Sequence, residues 1–139
     1  AAPAPQTDDE SLEGLRILVI DDDIEVLEAM ETYLRGEGAE VCAVASLPEA
    51  KRRLRAMSRR PDVVITDYGL GGAGDGVEAV AALESEFGAL PAIIITGETD
   101  PRILQPIQAS GLPLAAKPVR AAELKSMIRA LKAGPVRRK

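Results

Sequence analysis

The chain reads as a three-layer α/β sandwich, a parallel sheet with helices on both faces, and three observations predict it. Short aliphatic runs alternate with segments of helical period five times between residues 15 and 133, which is the pattern of five βα units. The runs Ile17–Ile20, Val63–Ile65 and Ile93–Ile95 are aliphatic at every position, as central strands covered on both faces by right-handed crossover helices must be. Composition agrees: 46% of 139 residues are apolar, with 22 Ala and 35 Leu, Ile and Val against Tyr33, Tyr68 and Phe87 as the only aromatics. That length suits one domain whose helices pack closely on an aliphatic sheet.

Residues 1–14 hold Ala, Pro, Gln and acids without apolar periodicity and read as a linker or tail, with the domain over 15–134 and a basic tail over 135–139. The expected strands are Ile17–Ile20, Val41–Ala45, Val63–Thr66, Ile93–Thr96 and Leu112–Ala116. Asp23 caps the first helix. Ser46 with Glu49 forms a capping box for the second, with Pro48 in its first turn, and Asp75 with Glu78 repeats the pattern before Val77–Phe87. The fourth helix starts at Asp100-Pro101 and is expected to be short or kinked, because Pro106 removes a backbone donor. The fifth carries Leu124, Met127, Ile128 and Leu131 on one face and stops at Gly134-Pro135.

Several functions are excluded by what is absent. Cys42 is the single cysteine, so there is no internal disulfide, and with no histidine there is no imidazole ligand, base or phosphodonor. No apolar run exceeds five residues, so neither a membrane span nor a signal-peptide core is present; the expected location is the cytoplasm. Net charge is −5, but residues 1–50 carry thirteen acids against two bases, and residues 51–139 nine acids against fifteen bases. The basic clusters Lys51–Arg60 and Arg120–Lys139 read as solvated helix faces and a tail, so no nucleic-acid or membrane contact is expected.

Chemistry must therefore run on carboxylates, hydroxyls, amines and backbone, and these collect at the carboxyl ends of the strands. Ile17–Ile20 runs into Asp21, Asp22 and Asp23; Val63–Thr66 into Asp67; Ile93–Ile95 into Thr96-Gly97; and the fifth run into Lys117-Pro118. Ligands of open parallel sheets bind at those ends. Carboxylates converging there repel unless a cation lies between them, and oxygen-only ligands favour Mg²⁺, or Mn²⁺ in its place, over zinc. A carboxylate nucleophile, a divalent cation, a hydroxyl and a lysine together suit a phosphoryl group.

The ordered set "ILVIDDD", "VVITDYGL", "AIIITGE" and "LAAKPV", with Asp22, Asp67, Thr96 and Lys117 spaced by 45, 29 and 21 residues, resembles the CheY-like receiver domain of two-component response regulators over about residues 15–133. The resemblance implies a flavodoxin-like (βα)5 fold with strand order 2-1-3-4-5. It implies Asp67 as phosphoacceptor, Asp22 as a direct metal ligand, Asp21 as a ligand through water, and the carbonyl of Gly69 as a further oxygen. Thr96 and Lys117 would contact the phosphoryl oxygens. With "DYGL", "TGETD" and "SGLPLAAKPV", the chain is similar above all to the C-terminal receiver of hybrid sensor histidine kinases, 1–14 then being the linker from a kinase; a free-standing receiver is the other setting. The implied partner is a histidine kinase core or a histidine phosphotransfer protein, docking around Asp67 through Ile24, Leu27 and the loop before Arg120. Monomer or weak dimer is the expected state.

Two features depart from that family. Leu114 stands where an aromatic often reports phosphorylation, and Leu70-Gly71 replaces a common Met-Pro. Five glycines in residues 69–76 predict a mobile loop. That loop also spells G-x-G-x-x-G, yet the match follows the third strand and places Asp67 beside any pyrophosphate, which argues against dinucleotide binding. A haloacid-dehalogenase-type phosphatase is the rival enzyme reading, since Asp21-x-Asp23, Thr96 and Lys117 imitate three of its motifs; the acidic pair needed after the lysine is missing, Glu123 being the lone acid there.

Overall fold

A computed structural model describes residues 11–70 and 75–133. Five strands and five helices alternate: β1 (Arg16–Ile20), α1 (Ile24–Gly36), β2 (Glu40–Val44), α2 (Leu47–Ala56), β3 (Val63–Asp67), α3 (Gly76–Phe87), β4 (Ala92–Thr96), α4 (Pro101–Ala109), β5 (Leu114–Ala116) and α5 (Ala121–Ala133). The strands form one parallel sheet in the order β2-β1-β3-β4-β5, as expected. The strand order reverses at β1, so the ends of β1 and β3 flank a crevice.

Each strand buries side chains on both faces, producing two cores. Leu27, Met30 and Leu34 of α1 and Leu124 and Ile128 of α5 cover one face over Ile17, Val19, Ile65, Ile93 and Ile95. On the other, Ala50 and Leu54 of α2, Ala79 and Leu83 of α3 and Ile107 of α4 pack on Leu18, Ile20, Val64 and Ile94. The alternation follows from the two-residue period of a strand, which sends Ile17 and Leu18 to opposite layers.

The structure amends several local expectations. Strand β5 begins at Leu114 rather than Leu112, and Pro113, which has no N–H to donate, contributes only its carbonyl, to Ile94 N–H at 2.9 Å. Strand β2 runs Glu40–Val44, and Ala45 lies beyond it. Ser46 accepts from Glu49 N–H at 3.3 Å, but the Glu49 carboxylate turns to Ala45 N–H at 3.1 Å, so that cap is not reciprocal. The Asp75–Glu78 box is reciprocal. Helix α4 is short, at nine residues, and contains Pro106. The packed chain also reaches back beyond Leu15: Leu12 is fully buried in the first core, with its N–H on Glu37 O at 3.0 Å. Residues 1–10, the loop segment 71–74 with its glycine match, and the Gly134-Pro135 stop and tail lie outside the described residues.

Candidate functional site

The sheet, not the loops, aligns the candidate residues. Asp21 N–H continues the β1 ladder onto Val44 O at 3.1 Å, Asp67 pairs with Ile95, Tyr68 N–H reaches Ile95 O at 2.8 Å, and Lys117 N–H reaches Thr96 O at 2.8 Å. Four neighbouring strands thus end at one level, and the side chains just past the last hydrophobic layer converge there. Sites carried on such ladders are held more tightly than sites on free loops.

Asp21, Asp22 and Asp67 each offer a carboxylate oxygen, all within 4.8 Å of one another. Asp21 is buried, Asp22 exposed and Asp67 half-buried. The Lys117 ammonium lies 2.8 Å from Asp67 Oδ1 and 3.6 Å from Asp21 Oδ2. Burial, with the charges of Asp67 and Asp22, holds the Asp21 carboxyl above its ordinary range, although Asp23 N–H donates to its Oδ1 at 2.9 Å and Lys117 acts in the opposite sense. Burial also works against the Lys117 ammonium, but its hydrogen bond to Asp67 and the charges of both aspartates outweigh that and raise its pKa. Lys117-Pro118 is a cis peptide.

The remaining expected residues surround this group. Thr96 is buried at the end of β4, its hydroxyl oxygen accepting from Glu98 N–H at 3.0 Å. Gly69 sits beside the Asp67 carboxylate: a Cβ built on it would stand 4.0 Å from Asp67 Oδ2. Asp23 is occupied as the N-cap of α1, accepting from Glu25 and Val26 N–H. Three oxygen donors, one of them buried and disfavoured as an isolated anion, form a set that fits a hard divalent cation.

Two neighbours of the site go beyond the sequence reading. An apolar cleft of about 570 Å³ runs between α1 and the β5–α5 connection, lined by Val26, Ala29, Tyr33, Lys117, Pro118 and Val119, of which the loop before Arg120 alone was expected at a docking face. Ile24, 53% exposed, stands at the start of α1, but Leu27 is buried in the core and presents no docking surface, a correction forced by helix phase. The other neighbour is Gly76, packed against the Asp67 backbone. The Asp75-Gly76 pair that opens α3 was its signal.

The response regulator receiver domain model matches residues 17–129, and the chain belongs to that family. The transcriptional regulatory protein PrrA of Mycobacterium tuberculosis is 33% identical over 118 residues, 84% of this chain. The DNA-binding response regulator MtrA of the same species is 30% identical over 116 residues, 83% of this chain. The match spans 49% of each relative, so this chain accounts for about half their length. A response regulator receiver domain protein from Clostridium thermocellum superposes with a TM-score of 0.75 at 28% identity, covering 85% of this chain and 94% of that one. The protein is thus a two-component receiver domain with an acidic pocket at the carboxyl edge of its sheet. Among the described residues no helix is long and apolar enough to cross a membrane.

Proposed function

We propose that the domain takes a phosphoryl group from a phosphohistidine onto Asp67 and thereby changes its interaction surface. The observation that carries this reading is the Lys117 ammonium 2.8 Å from Asp67 within a trio of convergent carboxylates. An Asp67 oxygen attacks phosphorus; a P–O bond forms, the donor's P–N bond breaks, and its electron pair stays on the imidazole, which takes a proton. Lys117 shifts from its carboxylate partners towards the phosphoryl oxygens, and the Thr96 hydroxyl donates to another. Asp22 and Asp67, the Gly69 carbonyl and, through water, Asp21 would hold Mg²⁺ or Mn²⁺. The cation supplies charge neutralisation between the acids and the incoming phosphoryl group.

The donor is a histidine kinase core or a histidine phosphotransfer protein, docking over Ile24 and the neighbouring cleft so that its imidazole reaches Asp67. The polypeptide setting we favour is the C-terminal receiver of a hybrid sensor kinase, on the strength of "DYGL", "TGETD" and "SGLPLAAKPV". The DNA-binding relatives support a second setting, a response regulator apart from any kinase. The reading frame flanking this segment decides between the two.

Acetyl phosphate with Mg²⁺ should add one phosphoryl mass to the protein, and Asp67→Asn should abolish the gain. Phosphorylation that survives this substitution overturns the assignment. Turnover of a generic phosphate ester would instead favour the phosphatase chemistry.

A further inference from the structure

At the start of α3 the chain approaches its own phosphoacceptor strand closely. A Cβ built on Gly76 would stand 2.5 Å from the carbonyl oxygen of Asp67, 3.1 Å from Tyr68 Cα and 3.2 Å from the Asp67 carbonyl carbon. All three obstacles are backbone, so no rotamer change relieves them. The approach is made into a bond: Gly76 N–H donates to Tyr68 O at 2.7 Å, and Gly69 pairs with Asp75 in an antiparallel bridge.

The opposite side of Asp67 and Tyr68 is held by the sheet, through Asp67 paired with Ile95 and Tyr68 N–H on Ile95 O. Asp67 and Tyr68 are therefore clamped between β4 and the first turn of α3, and Gly69 is tied to Asp75 just before that turn. That turn is itself fixed, because the Asp75 carboxylate accepts from Glu78 N–H at 2.8 Å and the Glu78 carboxylate from Asp75 N–H at 3.1 Å. The clamped stretch supplies both the Asp67 carboxylate and the Gly69 carbonyl, two of the oxygens proposed above for the cation.

We propose that Gly76 is a positioning residue of the phosphoacceptor centre: its bare Cα lets the capped turn of α3 seat on the Asp67–Tyr68 backbone and set the Asp67 carboxylate and Gly69 carbonyl in mutual register. The inference rests on the reading of Asp67 as phosphoacceptor and cation ligand. Adding one methyl at residue 76 must push α3 off the strand end or turn the Asp67 peptide, and either movement separates the two oxygens.

The test uses the 139-residue chain carrying Gly76→Ala, with Gly36→Ala as control, since nothing lies within 4 Å of a Cβ built at Gly36. In metal-free protein, the amide resonances of residues 67–69 should move in Gly76→Ala and stay in place in Gly36→Ala. Titration with Mg²⁺ should then show affinity weakened about tenfold or more, as when an outer-shell support of a metal ligand is lost, with the acetyl phosphate reaction slowed alongside. A protein that is merely less stable loses signal amplitude, while its folded molecules keep the wild-type Mg²⁺ affinity. Folded Gly76→Ala with wild-type amide shifts and affinity overturns the proposal. Should Gly76→Ala not fold, Asp75→Ala, which loosens the same turn without a clash, is expected to weaken Mg²⁺ binding by a smaller factor; unchanged affinity there also overturns it. Wild-type protein that takes neither Mg²⁺ nor a phosphoryl group at Asp67 would remove the functional reading itself, a result distinct from a Gly76→Ala variant matching an active wild type.

Discussion

The Lys117 ammonium bridges Asp67 and Asp21, at 2.8 Å and 3.6 Å, across the mouth of the crevice between the ends of β1 and β3. It is the one positive side chain in these contacts and offsets a repulsion among acids that the sheet geometry enforces. Lys117→Ala should therefore lower stability by about 1–2 kcal/mol in chelator, discounted for the partial exposure of the lysine. Saturating Mg²⁺ should restore most of that loss, because a cation among the carboxylates does the same electrostatic work. Asp22→Ala should show the opposite pattern, abolishing Mg²⁺ binding with little loss of stability in chelator, since Asp22 is exposed. Thermal melts of both variants with and without Mg²⁺ check the pair, and a Lys117→Ala deficit that Mg²⁺ deepens would contradict this account.

Most of the site was readable before the structure because it consists of residues that end strands. Asp21, Asp67, Thr96 and Lys117 each follow an aliphatic run, and parallel pairing brings such positions to one edge whatever the helices do. The parts that were not readable depend on phase and close approach. Leu27 looked like part of a docking face until the α1 rotation turned it into the core beside Met30 and Leu34. Strand β5 starts at Leu114 because Pro113, visible within the expected run, has no N–H to offer a ladder. The packing of Gly76 on Asp67 is a contact between a helix start and a strand end: the Asp75-Gly76 pair marks the helix start in the sequence but not the backbone it packs on.

Leu12 supplies a test of where the fold starts. It falls in the segment that lacks apolar periodicity and reads as linker, yet it is fully buried against the α1 side of the sheet, and its carbonyl accepts from Leu15 N–H at 3.1 Å. Leu12→Ala should destabilise the protein by about 2–4 kcal/mol, the ordinary cost of emptying a buried leucine site. Urea unfolding measures this directly, and a change below about 0.5 kcal/mol, the scale of a surface substitution, would place Leu12 outside the cooperative unit.

Cys42 gives the fold an alkaline dependence of predictable sign. The thiol is buried in β2, and burial raises its pKa above the ordinary thiol value. The unfolded thiol therefore loses its proton first as pH rises, so the unfolded state binds fewer protons and stability declines from about pH 8.5 upward. Below that pH the contribution is fully present. Cys42→Ala should flatten the stability profile between about pH 8 and 9.5, below the range where the tyrosines titrate. Aromatic disulfide reagents should label Cys42 only as fast as the native protein opens. Immediate labelling of folded protein would show a thiolate that burial has not suppressed.

Ile24 is the large apolar side chain that the described structure leaves exposed, at 53%, and it directly follows the Asp21–Asp23 run at the start of α1. Under the proposed phosphotransfer, a phosphohistidine donor must bring its bulky carrier to within bonding distance of Asp67, so the carrier's surface has to rest on whatever borders the crevice. The cleft lined by Val26, Pro118 and Val119 reaches the crevice through Lys117, and Ile24 follows the acidic run on α1; both are apolar, the composition expected at the buried centre of a transient interface. Ile24→Lys should leave phosphorylation by acetyl phosphate within about twofold of wild type, because the small donor needs no docking face and an exposed residue contributes little to the fold. Phosphotransfer from a purified histidine kinase core should fall about tenfold or more, the loss of one central interface contact. Equal rates from both donors in the variant would move the docking face away from α1, whereas equal losses from both would mean that Ile24 acts on the Asp67 centre itself.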